Sequence, residues 1–139
     1  DSLNKRVRFL MEVTAAMGLP NVRCIHARAE EAARTAEHRA AYDIAVSRAV
    51  ARLPVLLEYT LPFVRIGGTL LALKGRAYAE EQKEARRAAE VLGGGRITAH
   101  PVRLPGLDDV RAMLTVTKER QTPAAYPRGG GAPTRRPIV

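Results

Sequence analysis

The chain has 139 residues, of which 46% are hydrophobic, so it is long enough for one hydrophobic core and too short for two ordinary domains. Its single cysteine, Cys24, excludes an internal disulfide framework and argues against a cysteine-based metal site, and no apolar run has the length of a membrane span or a signal peptide. The net charge of +9 favours an anionic partner such as a nucleic acid. We expect a metal-free cytoplasmic protein.

The first half of the chain predicts helices that alternate with strands. A helix with Ser2 as a possible N-cap is predicted from apolar residues on one helical face, namely Leu3, Val7, Leu10 and Met11. Residues 22–25 are typical of a short strand, and the Ala/Glu-rich residues 29–41 are typical of a helix. Residues 42–50 indicate a buried strand that runs into a loop.

The second half continues this alternation and then changes. Pro54 is well placed to open a helix over 54–64. A strand is predicted over 67–75 and an exposed helix over 78–92. Two strand-like runs, 96–104 and 110–118, are joined by a turn over 105–109 and predict an antiparallel hairpin. The fold class is therefore α/β, with a mostly parallel sheet that ends in an antiparallel hairpin.

The last part of the chain has a different composition. From Glu119 onward it contains four prolines, three consecutive glycines and four arginines, which favour an extended basic tail over a packed core. We expect a globular domain over residues 1–118 and a basic tail over 119–139. A flexible basic arm of this kind is suited to phosphate contacts, although it could also serve only solubility.

Polar residues follow several predicted strands, at the positions where open α/β sheets bind their ligands. Asp1 and Ser2 have the chemistry of a turn between a strand and a helix, and Arg48 and Lys74 follow later strands. An acid at such a turn commonly accepts hydrogen bonds from ribose hydroxyls. Asp1 could equally be a helix cap, and spacing alone leaves both interpretations open.

Five stretches resemble one known family in their order and spacing. They are DSLNKRVRFL (1–10), ARAEE (27–31), SRAVARL (47–53), LALKG (71–75) and TPAAYPRGGGAPTRRPI (122–138). The chain resembles the RsmG family, also called GidB or glucose-inhibited division protein B. The resemblance implies a class I, Rossmann-like methyltransferase that uses S-adenosyl-L-methionine to methylate N7 of one guanine in 16S (small-subunit) ribosomal RNA.

The resemblance also implies roles for particular residues. Asp1, Ser2 and Leu3 match the family's ribose-holding turn, and Ala29 with Glu30 matches the pair that meets the adenine ring. Arg48 matches a cofactor-site arginine. Lys74 and Arg128 match basic positions that are expected to face the RNA. No residue is assigned a catalytic role, because N7 of guanine carries a free lone pair and needs no general base.

The sequence departs from the family pattern at its beginning. The family's N-terminal helices, first two strands and glycine-rich loop have no counterpart before Asp1, which puts the activity of this chain alone in doubt. The resemblance places those strands between residues 22–25 and 43–47, whose edges would then be exposed.

Two other functions remain open from the sequence. One is a basic RNA-binding module without enzymatic activity, and the other is a different Rossmann-like enzyme such as an NAD-dependent dehydrogenase. The oligomeric state is also open, with a monomer as the simplest expectation.

Overall fold

The computed structural model describes residues 1–106 and 108–139 and contains one mixed sheet. Its strands, in the spatial order β1-β2-β4-β3, are β1 (Tyr42–Arg48), β2 (Val64–Lys74), β4 (Arg111–Lys118) and β3 (Gly94–Val102). β1 is parallel to β2, whereas β4 is antiparallel to both β2 and β3. The predicted α/β class and the closing hairpin are confirmed. The turn predicted over 105–109 includes residue 107, which lies outside the described residues.

The helices follow the predicted alternation, with some different bounds. They are α1 (Asn4–Ala16), α2 (Ala29–Ala32), α3 (Leu53–Thr60), α4 (Tyr78–Glu84), α5 (Arg86–Leu92) and α6 (Ala132–Arg135). A 3₁₀ turn, Leu61–Phe63, follows α3. Pro54 stands in the first turn of α3, as predicted. α5 ends at Gly93, whose φ of 83° and close approach to the Arg120 carbonyl leave no room for a side chain.

The hydrophobic core lies between one face of the sheet and helices α3, α4 and α5. Alternate residues of the central strands are fully buried there, for example Leu70 and Ala72 in β2 and Leu114 in β4. The opposite face is open in the described residues, since Ile44 and Val46 of β1 are 57% and 66% exposed. The predicted strand at 42–50 is confirmed, but its predicted burial is wrong because β1 is an edge strand.

The strand predicted over 22–25 is not formed. Val22 and Ile25 are exposed, and the segment contacts Asp1 instead of joining the sheet. The Asp1 nitrogen donates to the Ile25 carbonyl at 3.0 Å, and the Ala27 N–H donates to the Asp1 carbonyl at 3.1 Å. These two bonds are the pattern of one step of a parallel ladder, which is too short to count as a strand.

Two helix predictions need correction. α1 forms, but Val7 is the only buried residue of its predicted apolar face. Few of the described residues pack against the rest of that face. The helix predicted over 29–41 ends at Ala32 and continues as turns. Thr35 Oγ1 donates to the Ala32 carbonyl, and Ala40 adopts a positive φ of 51°, neither of which continues a helix.

The C-terminal tail lies against the domain. Arg39 donates hydrogen bonds to the carbonyls of Thr122, Pro123 and Tyr126, at 2.8 to 3.1 Å. Arg34 donates to the carbonyls of Ala125 and Pro127, at 3.2 and 3.0 Å. The expectation of a flexible arm is therefore wrong, because arginines elsewhere in the fold satisfy the backbone acceptors of the tail.

A buried ion pair also fixes the tail to α3. The Glu58 side chain is 1% exposed and pairs with the Arg128 guanidinium, whose Nη2 lies 2.7 Å from Oε2. The Arg128 N–H donates to Oε1 at 2.7 Å. The hydrogen bond to Glu58 raises the pKa of Arg128 above its ordinary value.

Lys118, at the end of β4, is a buried cation. It is 1% exposed, and its Nζ donates to the Leu61 carbonyl at 2.7 Å and to Thr122 Oγ1. Thr122 in turn donates to the Leu92 carbonyl at 2.8 Å. Burial, followed by repulsion from Arg39, lowers the pKa of Lys118 to about 8.

The lowered pKa of Lys118 predicts an unusual pH dependence of the stability of the protein. Between its folded pKa of about 8 and its ordinary value of 10.5, only the unfolded chain keeps the proton. The Lys118 contribution to the free energy of unfolding should therefore rise with pH across this window, by up to about 3 kcal/mol. Urea unfolding at pH 7.5 and pH 10 measures the change, and Lys118→Met should abolish this part of it. An identical rise in the variant would contradict the assignment.

The Glu58–Arg128 pair predicts a loss of stability when one partner is removed. Arg128→Gln should lower the free energy of unfolding by about 3–5 kcal/mol, because it leaves the buried Glu58 charge unpaired. The double variant with Glu58→Gln should recover much of the loss. Arg65→Gln is the control, since its pair with Asp43 is exposed and should contribute less than about 1 kcal/mol. Equal losses of stability in Arg128→Gln and Arg65→Gln would contradict this prediction.

Candidate functional site

The sheet brings the ends of β1 and β2 to one edge. Because the two strands are parallel, Arg48 lies beside Leu73, and Lys74 follows at the same end. β4 begins at this edge and β3 ends there, so that Lys74 lies beside Ala112, and Val102 lies beside Arg111. Ligands of open α/β sheets bind at this kind of edge, and two clefts lie here.

The first cleft, here called the Asp1 cleft, has a volume of about 650 Å³. Five of the six residues predicted to bind a cofactor line it: Asp1, Ser2, Ala29, Glu30 and Arg48. The sixth, Leu3, is not part of the lining. The structure thus brings together residues that are separated by up to 47 positions in the sequence, and the volume suits a ligand of nucleotide size.

Asp1 is held in place by local hydrogen bonds. Its Oδ1 accepts from the Leu3 N–H at 2.8 Å, and its Oδ2 lies 3.5 Å from the Arg6 guanidinium. The carboxylate therefore fixes the turn that leads into α1, whose N-cap residue is Leu3, and the N-cap role predicted for Ser2 is wrong. The Asp1 side chain is still 31% exposed, so its remaining lone pairs can accept hydrogen bonds from a ligand. The bond from Asp1 to Leu3 is compatible with ligand binding, whereas the interpretation of Asp1 as the helix cap is not confirmed.

Glu30 and Ala29 belong to the short helix α2. Glu30 is only 6% exposed, and its carboxylate makes no hydrogen bond or ion pair within residues 1–106 and 108–139. Glu30 lines the Asp1 cleft, so its carboxylate can accept hydrogen bonds from a ligand there. Ala29 is the first residue of α2, where the backbone N–H has no acceptor within the helix. Together they offer an acceptor and a donor.

An aromatic wall completes the cleft, and the sequence analysis missed it. His38 Nδ1 lies 2.7 Å from the Tyr42 hydroxyl, and Phe63 packs against both rings with centroid distances of 6.4 and 6.0 Å. All three residues line the Asp1 cleft. His38 lies in the turns after α2, Tyr42 begins β1 and Phe63 ends the 3₁₀ turn, so the cluster depends on the fold.

A second cleft, here called the Lys74 cleft, has a volume of about 620 Å³ and shares Arg48 and Ala49 with the first. Ala49, which lines both clefts, has a φ of 54°, a conformation that non-glycine residues adopt rarely. The Arg48 side chain makes no hydrogen bond or ion pair with any residue that the structure describes. Arg48 is therefore available to a ligand in either cleft.

The two residues expected to face RNA are both engaged within the protein. Lys74 Nζ donates to the Ala51 carbonyl at 2.6 Å and to Glu81 Oε2 at 2.7 Å. Arg128 is occupied by Glu58. A direct phosphate contact from either side chain would break these bonds, so their assignment to RNA stays a prediction. Glu81 and Arg111, which the sequence analysis did not select, also line the Lys74 cleft.

Two solved structures resemble this fold. A 16S rRNA methyltransferase (RsmC) from T. thermophilus, in complex with AdoMet and guanosine, has a TM-score of 0.52 at 22% identity and covers 81% of this chain and 28% of its own. An rRNA methylase from Streptococcus thermophilus also has a TM-score of 0.52, at 15% identity, and covers 86% of this chain and 71% of its own. At these identities the likeness concerns the fold alone.

The sequence comparisons are closer. The chain is 48% identical over 139 residues to the ribosomal RNA small subunit methyltransferase G of Desulforamulus reducens and 46% identical over 138 residues to that of Alkaliphilus metalliredigens. It covers 58% of the length of each relative, while 100% and 99% of this chain are matched. A family model described as GidB, rRNA small subunit methyltransferase G, matches residues 1–103. The chain belongs to the rRNA small subunit methyltransferase G (GidB) family.

Proposed function

We propose that the Asp1 cleft binds S-adenosylmethionine and that the chain forms part of a methyltransferase that acts on N7 of a guanine in small-subunit ribosomal RNA. The observation that carries this proposal is the convergence of Asp1, Ala29, Glu30 and Arg48 on one cleft. Family membership supports it, and the net charge of +9 suits an RNA substrate.

The hydrogen-bonding and apolar groups that line the cleft fit the chemical groups of this cofactor. The exposed lone pairs of Asp1 accept hydrogen bonds from the ribose hydroxyls. Glu30 accepts from the adenine amino group, and the Ala29 N–H donates to a ring nitrogen. Tyr42 and Phe63 offer apolar surface to the ring. The Arg48 guanidinium, which pairs with none of the residues in 1–106 and 108–139, suits the carboxylate of the methionine part.

The residues of the chain have a positioning role in this reaction. The cofactor supplies an electrophilic methyl group on a sulfonium sulfur. N7 of guanine carries a free lone pair, so the protein needs no general base and has to hold the nucleophile in line with the methyl group. Orientation of this kind lowers barriers by about 7–11 kcal/mol in the best intramolecular cases.

The RNA and its location belong to the same proposal. We propose that the partner is small-subunit ribosomal RNA or the ribosomal particle, in the cytoplasm, and that Lys74 and Arg128 support the RNA site by holding neighbouring elements in place. Among the described helices none has the length and apolar character of a membrane span.

Calorimetric titration of S-adenosylmethionine tests the cofactor site. The titration uses this chain and a chimera in which these 139 residues replace the matching region of the Desulforamulus relative. In whichever protein binds, Asp1→Ala or Arg48→Ala should weaken binding by about 10- to 100-fold, because each removes a hydrogen bond to a charged group. Arg23→Ala is the matched control, since Arg23 pairs with Glu37 outside the cleft.

Two outcomes would contradict the proposal. Unchanged affinity in both Asp1→Ala and Arg48→Ala would refute the site assignment. No binding in either the chain or the chimera, together with salt-dependent binding to ribosomal RNA, would favour the alternative function of a non-catalytic RNA-binding module.

A further inference from the structure

We propose that the Lys74 cleft receives the guanine that is to be methylated and that Glu81 recognises its Watson–Crick edge. The inference rests on the proposed function, because the acceptor base has to lie next to the cofactor. The Lys74 cleft meets this condition, since Arg48 and Ala49 line both clefts. It also lies at the edge of the sheet where ligands bind in this class of fold.

Glu81 has one oxygen engaged and one oxygen free. Its Oε2 accepts from Lys74 Nζ and from the Leu53 N–H, each at 2.7 Å. Its Oε1 has no hydrogen-bond partner among residues 1–106 and 108–139. The side chain is 13% exposed and lines the Lys74 cleft. A carboxylate held this firmly has little freedom to turn toward bulk water, so Oε1 is a preorganised acceptor.

The chemistry of that acceptor selects guanine. Guanine presents two donors, N1–H and the N2 amino group, on its Watson–Crick edge, whereas adenine presents an acceptor at N1. A carboxylate therefore favours guanine. Contact with this edge leaves N7, on the opposite Hoogsteen edge, free to face the methyl donor. Lys74 acts as a positioning residue, because it holds Glu81 and does not need to touch the base.

Arg111 supplies a matching group for the phosphate. Its Nε is buried and has no hydrogen-bond partner in the described part of the chain, while its Nη2 donates to Asp109 at 3.0 Å. The side chain lies on the border of the Lys74 cleft, beside Leu104. The exposed part of the guanidinium, in a side chain that is 38% exposed and lines this cleft, suits a phosphate oxygen of the target nucleotide.

The test compares guanosine monophosphate (GMP) with adenosine monophosphate (AMP) as probes of the 139-residue chain. Binding is followed by NMR at the amides of Leu73, Gly75 and Val102, which border the Lys74 cleft, so that binding elsewhere does not interfere. The wild-type chain should prefer GMP by about tenfold, and 1-methyl-GMP, which lacks N1–H, should lose this preference. Equal affinity for all three nucleotides would overturn the inference without any variant.

Glu81→Gln should reverse the preference. The donors Lys74 Nζ and Leu53 N–H retain the amide oxygen, which turns the NH₂ group into the cleft, where it repels guanine N1–H and suits adenine N1. Glu80→Gln is the matched control on the same helix, because Glu80 is exposed and does not line the cleft. A variant that folds, as its amide spectrum shows, and still prefers GMP would refute the role of Glu81.

Arg111→Gln separates the phosphate contact from base recognition. It should weaken the binding of GMP and of AMP by the same factor, about tenfold. The ratio of the two affinities should therefore stay unchanged. A changed ratio would contradict the assignment of Arg111. Titration of S-adenosylmethionine reports separately on the Asp1 cleft, so a chain that prefers GMP but never binds the cofactor would refute the proposed function and leave the guanine preference standing.

Discussion

The ion pair between Lys74 and Glu81 connects β2, α4 and the loop after β1 beside the Lys74 cleft. Lys74 ends β2 and also donates to the Ala51 carbonyl in the loop after β1, while Glu81 of α4 accepts from the Leu53 N–H at the start of α3. The two side chains are only 11% and 13% exposed, so solvent screens their attraction little. Arg48 is also held by the ladder between β1 and β2, whereas the loop after β1 depends on the bond from Lys74 to the Ala51 carbonyl.

Much of the positive charge of the protein serves its own structure. Arg34 and Arg39 hold the tail by its carbonyl groups, Arg128 neutralises Glu58, and Lys118 joins β4 to the tail. Arg34 and Arg39 belong to the turns after α2, so the tail also holds the segment that follows the helix of Glu30. Net charge indicates which partners are plausible, but it does not distinguish cations that remain available to a ligand from those already satisfied.

The two clefts divide the proposed reaction between them. The Asp1 cleft carries acceptors suited to an adenosine, and the Lys74 cleft carries a carboxylate suited to guanine and a guanidinium suited to phosphate. Arg48 and the strained Ala49 form their common border. A methyl transfer to a nitrogen that already carries a lone pair requires this kind of alignment and little acid–base catalysis. The arrangement of the site and the chemistry of the proposed reaction are therefore consistent.

The sequence by itself determined the α/β class and the closing hairpin, because strand periodicity and turn residues are local signals. It also predicted Asp1 and Arg48 at one edge of the sheet, while the role of Glu30 came from the family resemblance. The motif stretches were sufficient to indicate the family. Only the tertiary structure decided that residues 22–25 stay outside the sheet, that β1 is an exposed edge and that the tail is docked, because these depend on which partners each segment meets. It also decided that Lys74, Glu81 and Arg128 are paired within the protein, since the partners of a charged side chain can be distant in the sequence.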